Sequence, residues 1–420
     1  MHASISAAVT THPRRRRAAA MLAASRPGLD FEIVEDPDPD GPRSALRTTR
    51  LAWRRADPAA THRLLVQDDM RLAPGFARLV REAVAARPDR ILCLFSEWGS
   101  RTSAAVRLAA LAGAGWVPLL DPYVPTTAVV LPTAVAHALA EFPAEPGEPD
   151  DVLLLRFARA HRIAPLVSCP NLAEHEPGDS LVGNDVLHGP RHAALFGGGT
   201  VPWHRELAPR LVPYLPLFEG IAICQVPDGD GWRSIRADEF LAPSGLTIPD
   251  LLDRYAVTAA RHDPAGRVRR VVADSLLLQL WLTAFCLGVA THDTLRQPTP
   301  PPSATTPPTG PTPPTGPTPP IGSSPPTGHA VSGKRHELPG AEQRFPRNCS
   351  DPADLVEVLA TARARAALRT FAPGALRRFV PRHRLGGLAA LVDPMVREAI
   401  SDGYVHAGQC GEVFWKESLQ

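Results

Sequence analysis

Two pairs of adjacent carboxylates are the residues best suited to chemistry in this chain: Asp68-Asp69 in the run LLVQDDM and Asp150-Asp151 in the run PDD. Adjacent acids repel each other when both are ionised, so a pair held at a structured position calls for a compensating cation. Asp68 and Asp69 follow the apolar run Leu64 to Val66 and the amide of Gln67. That places them where a buried strand leaves its sheet, the edge at which open α/β sheets bind ligands. A divalent metal holding phosphate oxygens suits carboxylates at such an edge. The plainer alternative is a solvated turn. Asp150 and Asp151 stand directly before an apolar helical stretch, Val152 to Arg159.

The elements that must position these pairs alternate between strand and helix. Ile5 to Val9 reads as a first strand, followed by Thr10, Thr11, His12 and Pro13 and then by an Arg-rich helix with Ala18, Met21, Leu22 and Ser25 on one face. The turn offers hydroxyls and helix-terminal N–H groups to an anion. Arg14 to Arg17 either add charge to a diphosphate or form a solvated face. Phe31 to Val34 is a second strand ending in Glu35 and Asp36, acids able to hold a ribose or a base, with no Gly-rich fingerprint ahead of them. Further strands are expected at Arg90 to Phe95, Thr126 to Leu131 and Ile163 to Val167. Helices are expected at Arg43 to Arg55, after Pro74-Gly75-Phe76, and from Pro132 to Phe142.

In this order the features resemble a nucleotide-sugar glycosyltransferase of the GT-A fold, near the family-2-like group. The resemblance covers about Ser4 to Phe196. It is carried by the opening strand with Thr10 and Thr11, the acid-ended second strand, LLVQDDM with its downstream Pro-Gly-Phe, TTAVVLP, the PDD before a helix, and PNLAEH. It implies an α/β fold with a GT-A-type Rossmann-like mixed sheet flanked by helices; beyond the resemblance, the apolar pattern and composition read as a mainly α-helical C-terminal region interrupted by a Pro-rich linker. It also implies a divalent metal, Mn2+ or Mg2+, held by Asp69 and His175. Donor-binding roles then fall to Thr10, Thr11, Asp36, Gln67 and Asp68, and the acceptor-side base is Asp150 or Asp151. Gln67 stands where the family has an acid; it can hydrogen-bond a ribose hydroxyl but carries no charge. No QxxRW motif of processive synthases follows.

The chemistry fits independently of the family. Transfer from a nucleoside-diphosphate sugar needs charge neutralisation on the leaving group and a carboxylate across the sugar to take the acceptor's proton. Asp69 and Asp151 offer both roles, and an inverting displacement needs no covalent intermediate. A second reading is a GDSL-like esterase, because Gly178-Asp179-Ser180-Leu181 and Asp185 to His188 spell that family's two blocks. Here the serine follows a polar stretch and the His comes within eight residues, unlike the family's arrangement. A third reading is a catalytically silent sugar-nucleotide-binding or scaffold protein.

Composition narrows the class. The 420 residues are 44% hydrophobic, enough for substantial cores, and 45 basic against 43 acidic residues leave no global field for nucleic acid or an anionic membrane. Six dispersed cysteines without a CxxC pair fit a reducing cytoplasm. Leu276 to Ala290 is too short and too interrupted by Gln279 and Thr283 to span a bilayer comfortably, so no transmembrane segment is expected. The expected divisions are 1–196 for the sheet domain, 197–297 for an accessory mostly helical region, 298–329 for a Pro/Thr/Gly-rich linker and 330–420 for a C-terminal helical region. Neither helical part looks able to stand alone, so the two are expected to pair.

Overall fold

The computed structural model describes residues 3–25, 28–176, 189–229, 231–297 and 352–418. The linker segment, and Ser180 with the other residues of the esterase-like blocks, lie outside the described residues. The first part is a seven-stranded mixed sheet built from β1 (Ile5–Thr11), β2 (Phe31–Glu35), β3 (His62–Gln67), β5 (Leu92–Cys93), β6 (Trp116–Pro118), β7 (Ala128–Pro132) and β8 (Leu166–Ser168), in the order β2-β1-β3-β7-β5-β8-β6. β1 pairs parallel with β2 and β3, and β5 parallel with β8, whereas β7 and β6 run antiparallel to their neighbours. A two-stranded ribbon of β4 (Met70–Leu72) and β9 (Ala173–His175) stands beside it.

Successive residues of a strand face opposite sides, and both sides of this sheet are covered. Ala8, Leu65, Val129 and Val167 pack under α2 (Ala45–Arg54), α4 (Arg101–Ala112), α5 (Thr133–Glu141) and α6 (Asp150–Ala160). Ala7, Val9, Leu64, Val66 and Val130 pack under α1 (Arg16–Ala24) and α3 (Phe76–Ala86). The strands therefore read as apolar runs rather than alternations. This is the expected Rossmann-like α/β architecture, with a mainly helical C-terminal region behind it.

Two details differ from the sequence reading. α1 buries Ala19 and Leu22 and leaves Met21 66% exposed, because its inward face is rotated by about one residue from the one expected. α6 begins at Asp150, so both carboxylates sit in its first turn rather than in the preceding loop. Pro394 lies inside one helix, Arg382–Ser418. Arg397 donates to Asp393 across that proline at 2.6 Å, and Val392, Met395, Val396, Ala399 and Ile400 form an unbroken buried stripe.

The second part opens with an antiparallel sheet of β10 (Val212–Tyr214), β11 (Ile223–Asp228) and β12 (Gly231–Arg236). Helices Ile248–His262 and Asp274–Arg296 follow, and after the undescribed stretch come Pro352–Ala360, Ala362–Arg369, Phe371–Leu376 and Arg382–Ser418. Helix Asp274–Arg296 is long and apolar enough to cross a membrane, yet 78% of its apolar window is buried within the protein, as in the core helix of a soluble protein. Helix Arg382–Ser418 covers it closely: a Cβ on Gly288 would strike the Ile400 carbonyl, and one on Gly403 the Phe285 carbonyl. The two halves of the helical region thus share one core with the Ala8, Leu65, Val129 and Val167 face of the large sheet.

Candidate functional site

A cleft of about 1470 Å³ opens over the C-terminal ends of β1, β2 and β3. All nine residues singled out from the sequence line it: Thr10, Thr11, Asp36, Gln67, Asp68, Asp69, Asp150, Asp151 and His175. The parallel pairing explains the first group, since Thr10 sits beside both Val34 and Gln67 and the acids follow at the same sheet edge.

At that edge the first carboxylate pair is held by cations. Arg15 Nη1 lies 3.3 Å from Asp68 Oδ1 and 3.4 Å from Asp69 Oδ2. His175 Nε2 lies 3.4 Å from Asp69 Oδ2, and Arg191 Nη2 lies 3.3 Å from the same ring nitrogen. The β4–β9 ribbon produces this approach: His175 is the partner of Met70, and the Glu176 N–H donates to the Asp69 carbonyl at 2.8 Å. Burial would raise the Asp69 pKa, but the hydrogen bond from His175 and the charges of His175, Arg15 and Arg191 outweigh it and hold it below the ordinary carboxylate value. For Asp68 burial wins and the pKa is raised, despite a hydrogen bond from the Thr11 hydroxyl. Asp69 Oδ1 is buried without a hydrogen-bond partner.

The Arg run divides at this point. Thr11 ends β1, His12 caps the following turn by accepting from the Arg14 N–H at 3.2 Å, and Pro13 takes its first position. Arg14 and Arg15 then line the cleft, while Arg16 turns outward to Glu35 at 3.2 Å. Asp36 is bound by Arg47 through two contacts of 2.7 and 2.8 Å, which lower its pKa. Asp36 therefore meets a ligand as an ion pair rather than as a free acid.

The second carboxylate pair has a different setting. Asp150 is fully buried and accepts from the Thr49 hydroxyl at 3.0 Å; burial raises its pKa, with Thr126 and Thr49 opposing. Asp151 is partly exposed to the cleft, and burial together with the neighbouring Asp150 raises its pKa to about 6. No Lys or Arg forms a salt bridge with either acid among the described residues.

Several lining residues were not singled out in the sequence. Glu97 follows β5 and is paired with Arg377, which comes from just after helix Phe371–Leu376. Asp121, after β6, accepts from the Arg101 N–H at 2.9 Å, and burial raises its pKa. Burial and the nearby Asp121, Glu97 and Asp151 keep the Tyr123 phenol protonated. Tyr214 of β10 accepts from Arg101 Nε at 3.2 Å. FSEWGS after an apolar run and DPY at 121–123 are the only signals that could have drawn attention to these residues.

A resident divalent cation needs several oxygen or nitrogen ligands and a local excess of negative charge. Asp69 and His175 face each other as the sequence implied, but no group of three or more His, Cys, Asp or Glu side chains able to hold a metal converges among the described residues. Two guanidinium groups stand within 3.4 Å of those two side chains. A cation beside Arg15 and Arg191 would be repelled, so the side chains present do not fit a resident metal. No family model matches the chain, and no curated protein matches it either.

Proposed function

We propose that this protein is a glycosyltransferase that moves a sugar from a nucleoside-diphosphate donor to an acceptor hydroxyl with inversion. The observation that carries this reading is the pairing of two unlike carboxylate sites in one cleft. One is a cation-rich edge at the strand ends, and the other is an acid whose pKa is raised to about 6. The first suits a departing diphosphate, and the second suits a general base.

In this reading the acceptor oxygen attacks the anomeric carbon as its proton passes to Asp151. The bond from that carbon to the diphosphate oxygen breaks, and the leaving group departs with the electron pair toward Arg15 and Arg191. Asp151 is the base rather than Asp150, because both line the cleft but Asp150 is buried and hydrogen-bonded to Thr49 whereas Asp151 is partly exposed. Thr10, Thr11 and Gln67 line the side where the donor's diphosphate and ribose would lie. Five described cysteines form no disulfide, which supports a place in the cytoplasm.

The test is a thermal-shift panel of nucleoside diphosphates and their sugars, followed by an assay for nucleoside diphosphate released from the sugar that binds. A ligand at 100 times its Kd stabilises the native state by about 2.7 kcal/mol. Binding with release that Asp151→Asn abolishes is the expected result. Binding with no release points to a silent sugar-nucleotide-binding protein. If no nucleotide shifts the melting temperature, the donor reading falls.

A further inference from the structure

We infer that Arg15 and Arg191 neutralise the donor's diphosphate without a divalent metal; this rests on the glycosyl-transfer reading and concerns how the same site holds its ligand. Charge at the strand ends decides the matter. Asp36 is paired with Arg47, which leaves Asp68 and Asp69 as the carboxylates at the strand ends. Around them stand Arg14, Arg15 and Arg191, all lining the cleft. Three guanidinium groups therefore face two carboxylates, an excess of positive charge. A metal site requires the reverse, because its ligands must offset the charge of the ion before phosphate arrives.

Geometry agrees with the charge count. Arg15 bridges the two carboxylates through one nitrogen, and Arg191 reaches His175 through one of its own. Arg191 Nε is buried without a hydrogen-bond partner, as is Asp69 Oδ1 across the cluster. A guanidinium has five N–H donors in a rigid fork that matches phosphate oxygens. In this arrangement Asp69 and His175 are positioning residues that hold the two forks apart. Gln67, in the place of a family acid, lowers the negative charge at the edge further.

The experiment measures binding of UDP, GDP and dTDP to the full chain by calorimetry, in excess EDTA and in excess Mn2+. At least one is expected to bind in EDTA with a Kd within about threefold of its value in Mn2+. Arg15→Ala and Arg191→Ala should each weaken that binding by about 10- to 100-fold, the worth of a hydrogen bond to a charged group. Arg15→Lys should recover part of the loss, and circular dichroism melts identify a variant that has merely unfolded. Asp69→Asn is the sharpest arm. It removes a negative charge beside the phosphates and should tighten binding in EDTA, whereas a metal ligand's loss would weaken binding in Mn2+. Binding seen only with Mn2+, or unaffected by either Arg substitution, overturns the inference and leaves the glycosyl-transfer reading standing. Absence of binding under both conditions overturns both.

Discussion

The cleft contains the same dipeptide twice, and its two copies behave in opposite ways. Asp69 is held below the ordinary carboxylate value, and Asp151 is raised to about 6. Both are desolvated, so burial alone does not separate them. The difference is the company: Arg15, His175 and Arg191 around Asp69, against only Asp150 and hydrogen bonds from backbone N–H groups around Asp151. Two carboxylates pushed apart in this way can take different parts in one reaction, one fixed as an anion and one able to accept a proton near neutral pH. A run of two acids therefore says little until its neighbours are known.

The largest expected effect comes from removing the base-like member. Asp151→Asn should lower turnover by about 10²- to 10⁴-fold while leaving nucleotide affinity unchanged. Unaltered turnover in the Asp150→Asn, Asp151→Asn double variant would defeat the assignment. Native kcat/KM should also fall on the acid side of about pH 6, tenfold per pH unit, as Asp151 takes up its proton. A profile flat down to pH 5 would deny Asp151 that role.

Next in size is the cation that partners Glu97 in the cleft lining. Arg377→Ala leaves Glu97 partly buried without its partner, and breaking such a pair destabilises by about 3–5 kcal/mol. Denaturant unfolding checks this, and a loss under 1 kcal/mol would mean that Glu97 simply protonates or is hydrated.

Stability against pH distinguishes the pairs without any substrate. Asp151 has its folded pKa raised above the ordinary 3.8, so the stability its protonated form contributes is fully present below about pH 4 and is lost as pH rises through about 6. Asp151→Asn should therefore melt above the native protein at about pH 8 and level with it at about pH 4. Asp69 has a lowered pKa and behaves in the opposite sense, contributing stability that is lost as pH falls through its folded value. The smallest change is Thr49→Val. It removes one hydrogen bond to Asp150 and should cost about 1 kcal/mol by denaturant unfolding, with the Asp150 pKa raised further.

Much of the sheet was legible because its strands are apolar runs that end in polar residues, and parallel strands bring their ends to one edge. That logic places Thr10, Asp36, Gln67, Asp69 and His175 around one cleft. It fails for α4, whose residues from Thr102 to Ala112 are all buried. A helix covered on every side has no polar face, so its sequence lacks the 3.6-residue alternation that marks a helix. Glu97, Asp121 and Tyr123 were missed for a related reason, since each is a single polar residue with no spacing to a partner. Arg191 is a single arginine between Pro190 and His192 with no motif around it, and Arg377 is one arginine among many in a helical region with no motif. Which of Asp150 and Asp151 is the more exposed was also beyond the sequence, because it depends on where the first turn of α6 points.

The Glu97–Arg377 pair also sets a timetable. The two residues are 280 positions apart. At roughly 5–20 residues per second of synthesis, the sheet's acid waits about a quarter of a minute to a minute before its guanidinium leaves the ribosome. Over that interval Trp98 and Gly99 have no cover from the Gly374 to Arg377 segment that later packs on them. The cleft lacks this part of its wall until Arg377 has been made.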